Sequence, residues 1–240
     1  SNLLYAQTIN TFAGTGSNSP FNDNVAALSA NINSPRDLII DAAGNIIFCD
    51  IGNFRVRKIN TSGIISTIAG NGTNTSTGDG GLATDATLLS PIGVTLDGAG
   101  NLYICETNKI RKVNTSGIIS TIAGTGSSGF NGDGGLAVNA LLNNVRGIVV
   151  DSVGVVYFTD GLNNRVRKID LNGIISTYAG GGSVLVDNVT ATSSLLSNPV
   201  GIAIYGSDIY VTENSGQRVR KIDNAGIITT YAGTGSTSFN

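Results

Sequence analysis

The chain repeats itself, and the period limits what it can fold into. Ile64-Ile65-Ser66-Thr67-Ile68-Ala69-Gly70 returns with small changes at 118–124, 174–180 and 227–233, and a fifth copy, Ile9-Asn10-Thr11-Phe12-Ala13-Gly14, lies near the start. Asp23, Asp79, Asp133 and Asp187 step by 56, 54 and 54 residues. Self-similarity at this period means a structural unit that cannot bury its apolar faces alone and must stack on copies of itself. Each period reads as four short strands. In the second, Ile92–Leu96, Leu102–Cys105, Lys109–Val113 and Ile118–Ala123 are separated by the turn formers Asp97-Gly98-Ala99-Gly100-Asn101 and Asn114-Thr115-Ser116-Gly117. Asp and Asn bond the backbone two residues on, and glycine supplies the positive φ such turns require. No segment sustains a helical period; Leu82–Leu89 offers two turns at most.

Four antiparallel strands per period are the unit of a β-propeller, in which blades stack around an axis and keep their edges short. The expected fold is therefore all-β: a propeller of four-stranded antiparallel blades, with four full repeats (about 33–89, 90–142, 143–196 and 197–240) plus one extra outer strand at 9–14. Residues 1–7 read as a leader or signal-peptide remnant, and 8–240 as the propeller. Five fourth strands against four sets of the other three imply that at least one blade is missing. The absence of methionine likewise points to part of a longer reading frame.

The order of motifs resembles the NHL repeat in its bacterial secreted form. Ala-Gly-Thr-Gly (123–126) is followed by Gly-Asp-Gly-Gly-Leu-Ala (132–137). Pro-x-Gly-Val (91–94), Gly-Asn-Leu-Tyr (100–103), an acidic residue, and Arg-x-Arg-Lys-Ile (55–59) complete the set. The resemblance covers roughly 8–240 and implies a propeller, commonly of six blades.

Composition removes several functions. There is no His, hence no histidine-ligated zinc, no Ser-His-Asp triad and no imidazole base. A net charge of −2 is a poor field for nucleic acid, and no apolar run reaches the roughly 18 residues that span a bilayer. Twelve of the 14 basic residues belong to the third strand or its approach: Arg55, Arg57 and Lys58 in the first repeat, with counterparts at 109–112, 165–168 and 218–221. A residue that recurs in every blade is structural by expectation, pairing with carboxylates or carbonyls. The other two cations, Arg36 and Arg146, open a first strand.

Asp50, Glu106, Asp160 and Glu213 each end a second strand. Up-and-down connectivity puts them on one face with Asn108, Arg36, Arg146 and the aspartate loops, and this face at the channel mouth is the expected ligand site. No cofactor is required. Calcium is the candidate metal, held by Asp79 or Asp133 in their Gly-Asp-Gly-Gly loops, or by Glu106 with Glu213, against the plainer reading that the loop aspartates bond their own turns. Asp41, Asp97 and Asp151 are assigned to hairpin turns. Cys49 and Cys105, on adjacent blades about 10 Å apart, should be free buried thiols and not a disulfide.

The function expected is a non-catalytic, secreted or cell-surface module that binds protein or glycan through the channel-mouth face or open blade edges. A metal-dependent lactonase-like hydrolase is one alternative; self-assembly by strand exchange through residues 9–14 is the other. Nucleic acid is not an expected partner.

Overall fold

The computed structural model describes residues 8–238; the leader expected at 1–7 lies outside the described residues. Four antiparallel sheets follow one another along the chain. The first holds β1 (Val25–Ala26), β2 (Pro35–Ile40), β3 (Ile46–Asp50), β4 (Arg55–Ile59) and β5 (Ile64–Ala69), in the order β1-β5-β4-β3-β2. The second holds β6 (Gly93–Leu96), β7 (Leu102–Cys105), β8 (Ile110–Val113) and β9 (Ile119–Ala123), and the third β10 (Val145–Val150), β11 (Val156–Asp160), β12 (Arg165–Ile169) and β13 (Ile175–Gly180), each in sequence order. The fourth repeats the first with β14 (Val189–Thr190), β15 (Pro199–Tyr205), β16 (Asp208–Glu213), β17 (Arg218–Ile222) and β18 (Ile227–Ala232).

These are propeller blades. The first strands pack in series, β2 on β6, β6 on β10 and β10 on β15. Three apolar cores fill the spaces between consecutive blades. Between the first two, Cys49, Val56 and Ala69 meet Ala83, Leu88 and Val94. Hairpin turns form by the chemistry read from sequence: Asp41 Oδ1 accepts the amides of Ala43 and Asn45, and Asp97 and Asp151 repeat the arrangement at 2.9–3.0 Å. Both cysteines are buried and free.

Three features add to or depart from what the sequence implies. A fifth strand caps the outer edge of the first and last blades, pairing Val25 with Ile65 and Val189 with Ile228. The middle blades have single bridges there, Leu82 to Ile118 and Leu136 to Ile174. Leu82–Leu89 is not helical; it makes turns, because its loop instead holds this edge. Residues 9–14 join none of the four sheets. They run where a fourth strand would: Gly14 and Thr15 donate to Ala27 and Ala30, as Gly70 and Asn71 donate to Ala83 and Ala86. No third strand lies beside them among the described residues, so the ladder they would form is missing.

At both ends of the series some apolar surface is exposed among the described residues, although on the first blade Ala13, Ala27 and Ile32 pack over Phe48, Ile59 and Ile65. Val219 and Ala232 occupy the places of Val56 and Ala69, which are wholly buried by the next blade; on the last blade Ala232 is exposed and Tyr231 is 65% exposed. On the first blade Leu38 and Ile40 are more than 60% exposed.

Candidate functional site

The register confirms that the end of each second strand faces the start of its first: Pro35 lies opposite Asp50, Val145 opposite Asp160, and Pro199 opposite Glu213. The four carboxylates are not presented to a ligand, however. Asp50, Glu106, Asp160 and Glu213 are buried, at 0–4% exposure. Each faces a wholly buried third-strand guanidinium: Arg57 to Asp50 at 3.0 Å, Arg111 to Glu106 at 3.4 Å, Arg167 to Asp160 at 3.6 Å, and Arg220 to Glu213 at 3.7 Å.

The same guanidinium reaches the loop aspartate. Arg57 contacts Asp23 at 3.2 Å, Arg111 contacts Asp79 at 2.7 Å, Arg167 contacts Asp133 at 2.6 Å, and Arg220 contacts Asp187 at 2.8 Å. Each blade thus carries one carboxylate–guanidinium–carboxylate triad. A β-bulge between Val56 and Arg57, repeated at Ile110/Arg111, Val166/Arg167 and Val219/Arg220, sets where the arginine falls in the ladder with the fourth strand.

The triad ties three chain segments together. The inner carboxylate also accepts an amide from the approach to its own first strand: Asn33 and Asn143 at 2.7 Å, Ser197 at 2.6 Å, Leu89 at 3.2 Å. The loop aspartate reaches the fourth strand: Asp23 accepts the Thr67 amide at 2.9 Å, and Asp133 the Thr177 hydroxyl at 2.6 Å. The plainer sequence reading, in which these aspartates serve their own turns, is therefore replaced by long-range bonds. Ser76, which hydrogen-bonds Glu106, carried no signal in the sequence. Asn108 bridges blades by accepting the Asn144 amide at 3.2 Å and donating to the Gly126 carbonyl. The triad itself had one: the interval from loop aspartate to buried arginine is 34, 32, 34 and 33 residues.

Calcium does not fit this arrangement. Asp79, Asp133, Glu106 and Glu213 each face a guanidinium, and no three acidic or thiol groups converge among the described residues. A cation at these carboxylates would compete with a buried arginine, whose charge is never lost.

Burial and pairing pull the two carboxylate sets apart. For Glu106, Asp160 and Glu213, burial raises the pKa by more than the hydrogen bonds and the neighbouring arginine lower it. For Asp79, Asp133 and Asp187, burial also raises, but the threonine bonds and the arginine together outweigh it and the pKa falls. The raised set takes up protons on folding, so its contribution grows as pH falls from 7 toward the ordinary 4.5 of glutamate. The lowered set is fully stabilising above its ordinary 3.8 and loses that as pH falls further, through the folded values. The melting temperature should rise from pH 7 toward mildly acidic pH and drop below 3.8. Calorimetry across this range checks it; a monotonic fall from neutrality would contradict the assignment.

Arg36 and Arg146 do come together in space. With Asp37, Ile92, Thr95, Ile148, Val200 and other first-strand residues of all four blades they line a cavity of about 360 Å³ on the axis. At the bulge of β2, β10 and β15, and at its counterpart in β6, stand Asp37, Gly147, Gly201 and Gly93.

Stacked four-stranded blades, each locked by the same buried triad, define a repeat β-propeller. Residues 71–131 and 126–186 each match the Teneurin NHL domain family. Curated relatives include Teneurin-4 of Mus musculus, 34% identical over 141 residues (49% of this chain, 5% of the relative), and Teneurin-1 of Gallus gallus, 30% identical over 252 residues (90% of this chain, 9% of the relative). The chain thus spans less than a tenth of those proteins. Among solved structures, an auxiliary nutrient binding protein from Bacteroides thetaiotaomicron aligns with TM-score 0.60 at 15% identity, covering 82% of this chain and 48% of that one. Virginiamycin B lyase from Staphylococcus aureus aligns with TM-score 0.54 at 20% identity, covering 82% and 55%. At these identities the solved structures speak for the fold alone. The chain belongs to the NHL-repeat β-propeller family.

Proposed function

We propose that the chain is a non-catalytic binding module of a secreted or cell-surface protein, working through protein–protein contact. The observation that carries this reading is the commitment of every inner carboxylate to a buried arginine, in the same way in each blade. A hydrolytic site needs a carboxylate free to take a proton or hold a metal, and one blade differentiated from the rest. The lactonase-like alternative asked this of Glu106, Glu213, Asp160 and Asn108, each of which accepts a backbone amide of the scaffold. The match to the Teneurin NHL domain supports the module reading, and a surface rich in Asn, Ser, Thr and Gly suits a glycan or protein ligand. The test is a lactone-hydrolysis assay with added divalent ions. No turnover is expected; turnover lost in Glu106→Gln would overturn the proposal.

Self-assembly has its own observation in the apolar side chains exposed on the first and last blades, Leu38 and Ile40 on one and Tyr231 on the other. The three internal interfaces show what such faces accept, namely another blade of the same repeat. A second copy supplies one: its last blade, with Tyr205 and Tyr231, would cover Leu38 and Ile40 of the first. Residues 11–15 already occupy the fourth-strand rim of that face, so an incoming β18 must displace them. Sedimentation should show mass rising with concentration, more steeply after removal of residues 1–15. A monomer in both forms would dispose of it.

A further inference from the structure

The arginines of this chain fall into three groups. Arg57, Arg111, Arg167 and Arg220 are buried between two carboxylates each. Arg55, Arg165 and Arg218 donate to backbone carbonyls at 2.6–2.9 Å. Arg36 and Arg146 have neither: among the described residues the Arg36 side chain makes no hydrogen bond, and that of Arg146 meets only the Asn144 side chain at 3.3 Å. These two line the same axial cavity, from equivalent positions on the first and third blades. Asp37, the acid among the residues lining the cavity, is turned to the second blade, where its carboxylate accepts the Val94 amide at 2.8 Å. Two arginines thus line the cavity beside one engaged carboxylate.

The walls between the cations are aliphatic. Ile92 and Val200 stand at the arginine position of the second and fourth blades, so cation and aliphatic side chain alternate around the axis. Ile39, Val94 and Ile148 extend the apolar lining. A planar guanidinium fork selects a carboxylate by paired hydrogen bonds, and an apolar wall beside it selects an aliphatic stem. A volume of about 360 Å³ has room for one or two residues of a peptide.

We propose that the axial cavity binds a carboxylate carried on an aliphatic stem, held between Arg36 and Arg146. Two sources offer that chemistry, the free C-terminus of a protein ending in an aliphatic residue and an acidic side chain beside one. The inference rests on the binding-module reading and adds the class of ligand to it.

The probes are acetyl-Gly-Val-Ile as the free acid, the same peptide as its C-terminal amide, and acetyl-Val-Glu-amide, each titrated into the 240-residue protein by calorimetry or NMR up to about 10 mM. The free acid, the Glu peptide or both should bind, and the acid at least tenfold more tightly than its amide, about the loss expected when a charge-assisted pair is removed. Whichever of the two carboxylate peptides binds more tightly identifies the source. Arg36→Gln and Arg146→Gln should each weaken binding about fivefold or more, while Lys58→Gln, remote from the cavity, should not. Neither arginine contacts a carboxylate, so both variants should melt with the parent, and the melting curves are recorded with each titration. Measurable binding of acid and amide with equal affinity, no binding of any probe, or binding indifferent to both arginines would overturn the proposal. Such a failure alongside concentration-dependent self-association would remove the cavity ligand and leave the module reading in place; failure of both would remove the module reading too.

Discussion

Replacing Arg167 by methionine should lower the melting temperature by roughly 10 °C or more, since a chain of this size loses about 2–4 °C per kcal/mol. Arg167 is wholly buried and bonds Asp133 at 2.6 Å, the Asn131 carbonyl at 2.9 Å and the Leu141 carbonyl at 3.2 Å, with Asp160 at 3.6 Å. Removing it leaves Asp160 buried beside no opposite charge, which costs about 3–5 kcal/mol. The neighbour Arg165 is the control. It stacks on Phe130 at 3.9 Å and donates to one carbonyl, so Arg165→Met should cost about 1 kcal/mol. Adding Asp160→Asn to Arg167→Met should recover part of the loss, because the orphaned charge is then gone. A fall of less than about 3 °C in Arg167→Met would mean that the triad does not hold the blade.

The second large effect is expected where blades touch at the axis. A Cβ on Gly93 would lie 2.0 Å from the carbonyl oxygen of Arg146, and one on Gly147 would lie 2.5 Å from that of Val200. Both contacts are to the backbone of the adjacent blade's first strand, which no rotamer change relieves. Gly93→Ala must push two blades apart and should cost about 3 kcal/mol or more, at the upper end of overpacking penalties. Gly98→Ala, in a hairpin turn with open space around it, should stay within about 0.5 kcal/mol. The first blade shows how a side chain is accommodated there. Asp37 has φ of 29°, and its carboxylate takes up the Val94 amide. Thermal melts of the two variants decide the matter: if Gly93→Ala and Gly98→Ala melt together, the blades are not in contact at this glycine.

Much of the scaffold was legible because it rests on local chemistry. Strand, turn and blade boundaries recur with the period, and Asp41, Asp97 and Asp151 make the turn bonds their position implies. The shared face was legible too, since antiparallel order alone puts Pro35 opposite Asp50. The role of that face was not. The carboxylates expected to meet a ligand are buried, and the arginines expected to be structural are what they meet. Alternation along Val56-Arg57-Lys58-Ile59 does not say that Arg57 is buried while Lys58 stays wetter, because the bulge in the ladder to β5 shifts the register at that point.

The sequence by itself determined the repeat unit, its four strands and its turns, because each follows from residue spacing and from bonds a few positions long. Tertiary structure alone decided which charge meets which, which apolar side chains stay exposed and which two arginines are left for the axis. Arg57 and Asp23 are 34 residues apart, and their pairing exists only once a loop folds back over its own blade and the next blade excludes water. Exposure of Leu38 and Tyr231 likewise belongs to no local pattern, since the same repeat positions are buried or half-buried wherever another blade stands beside them.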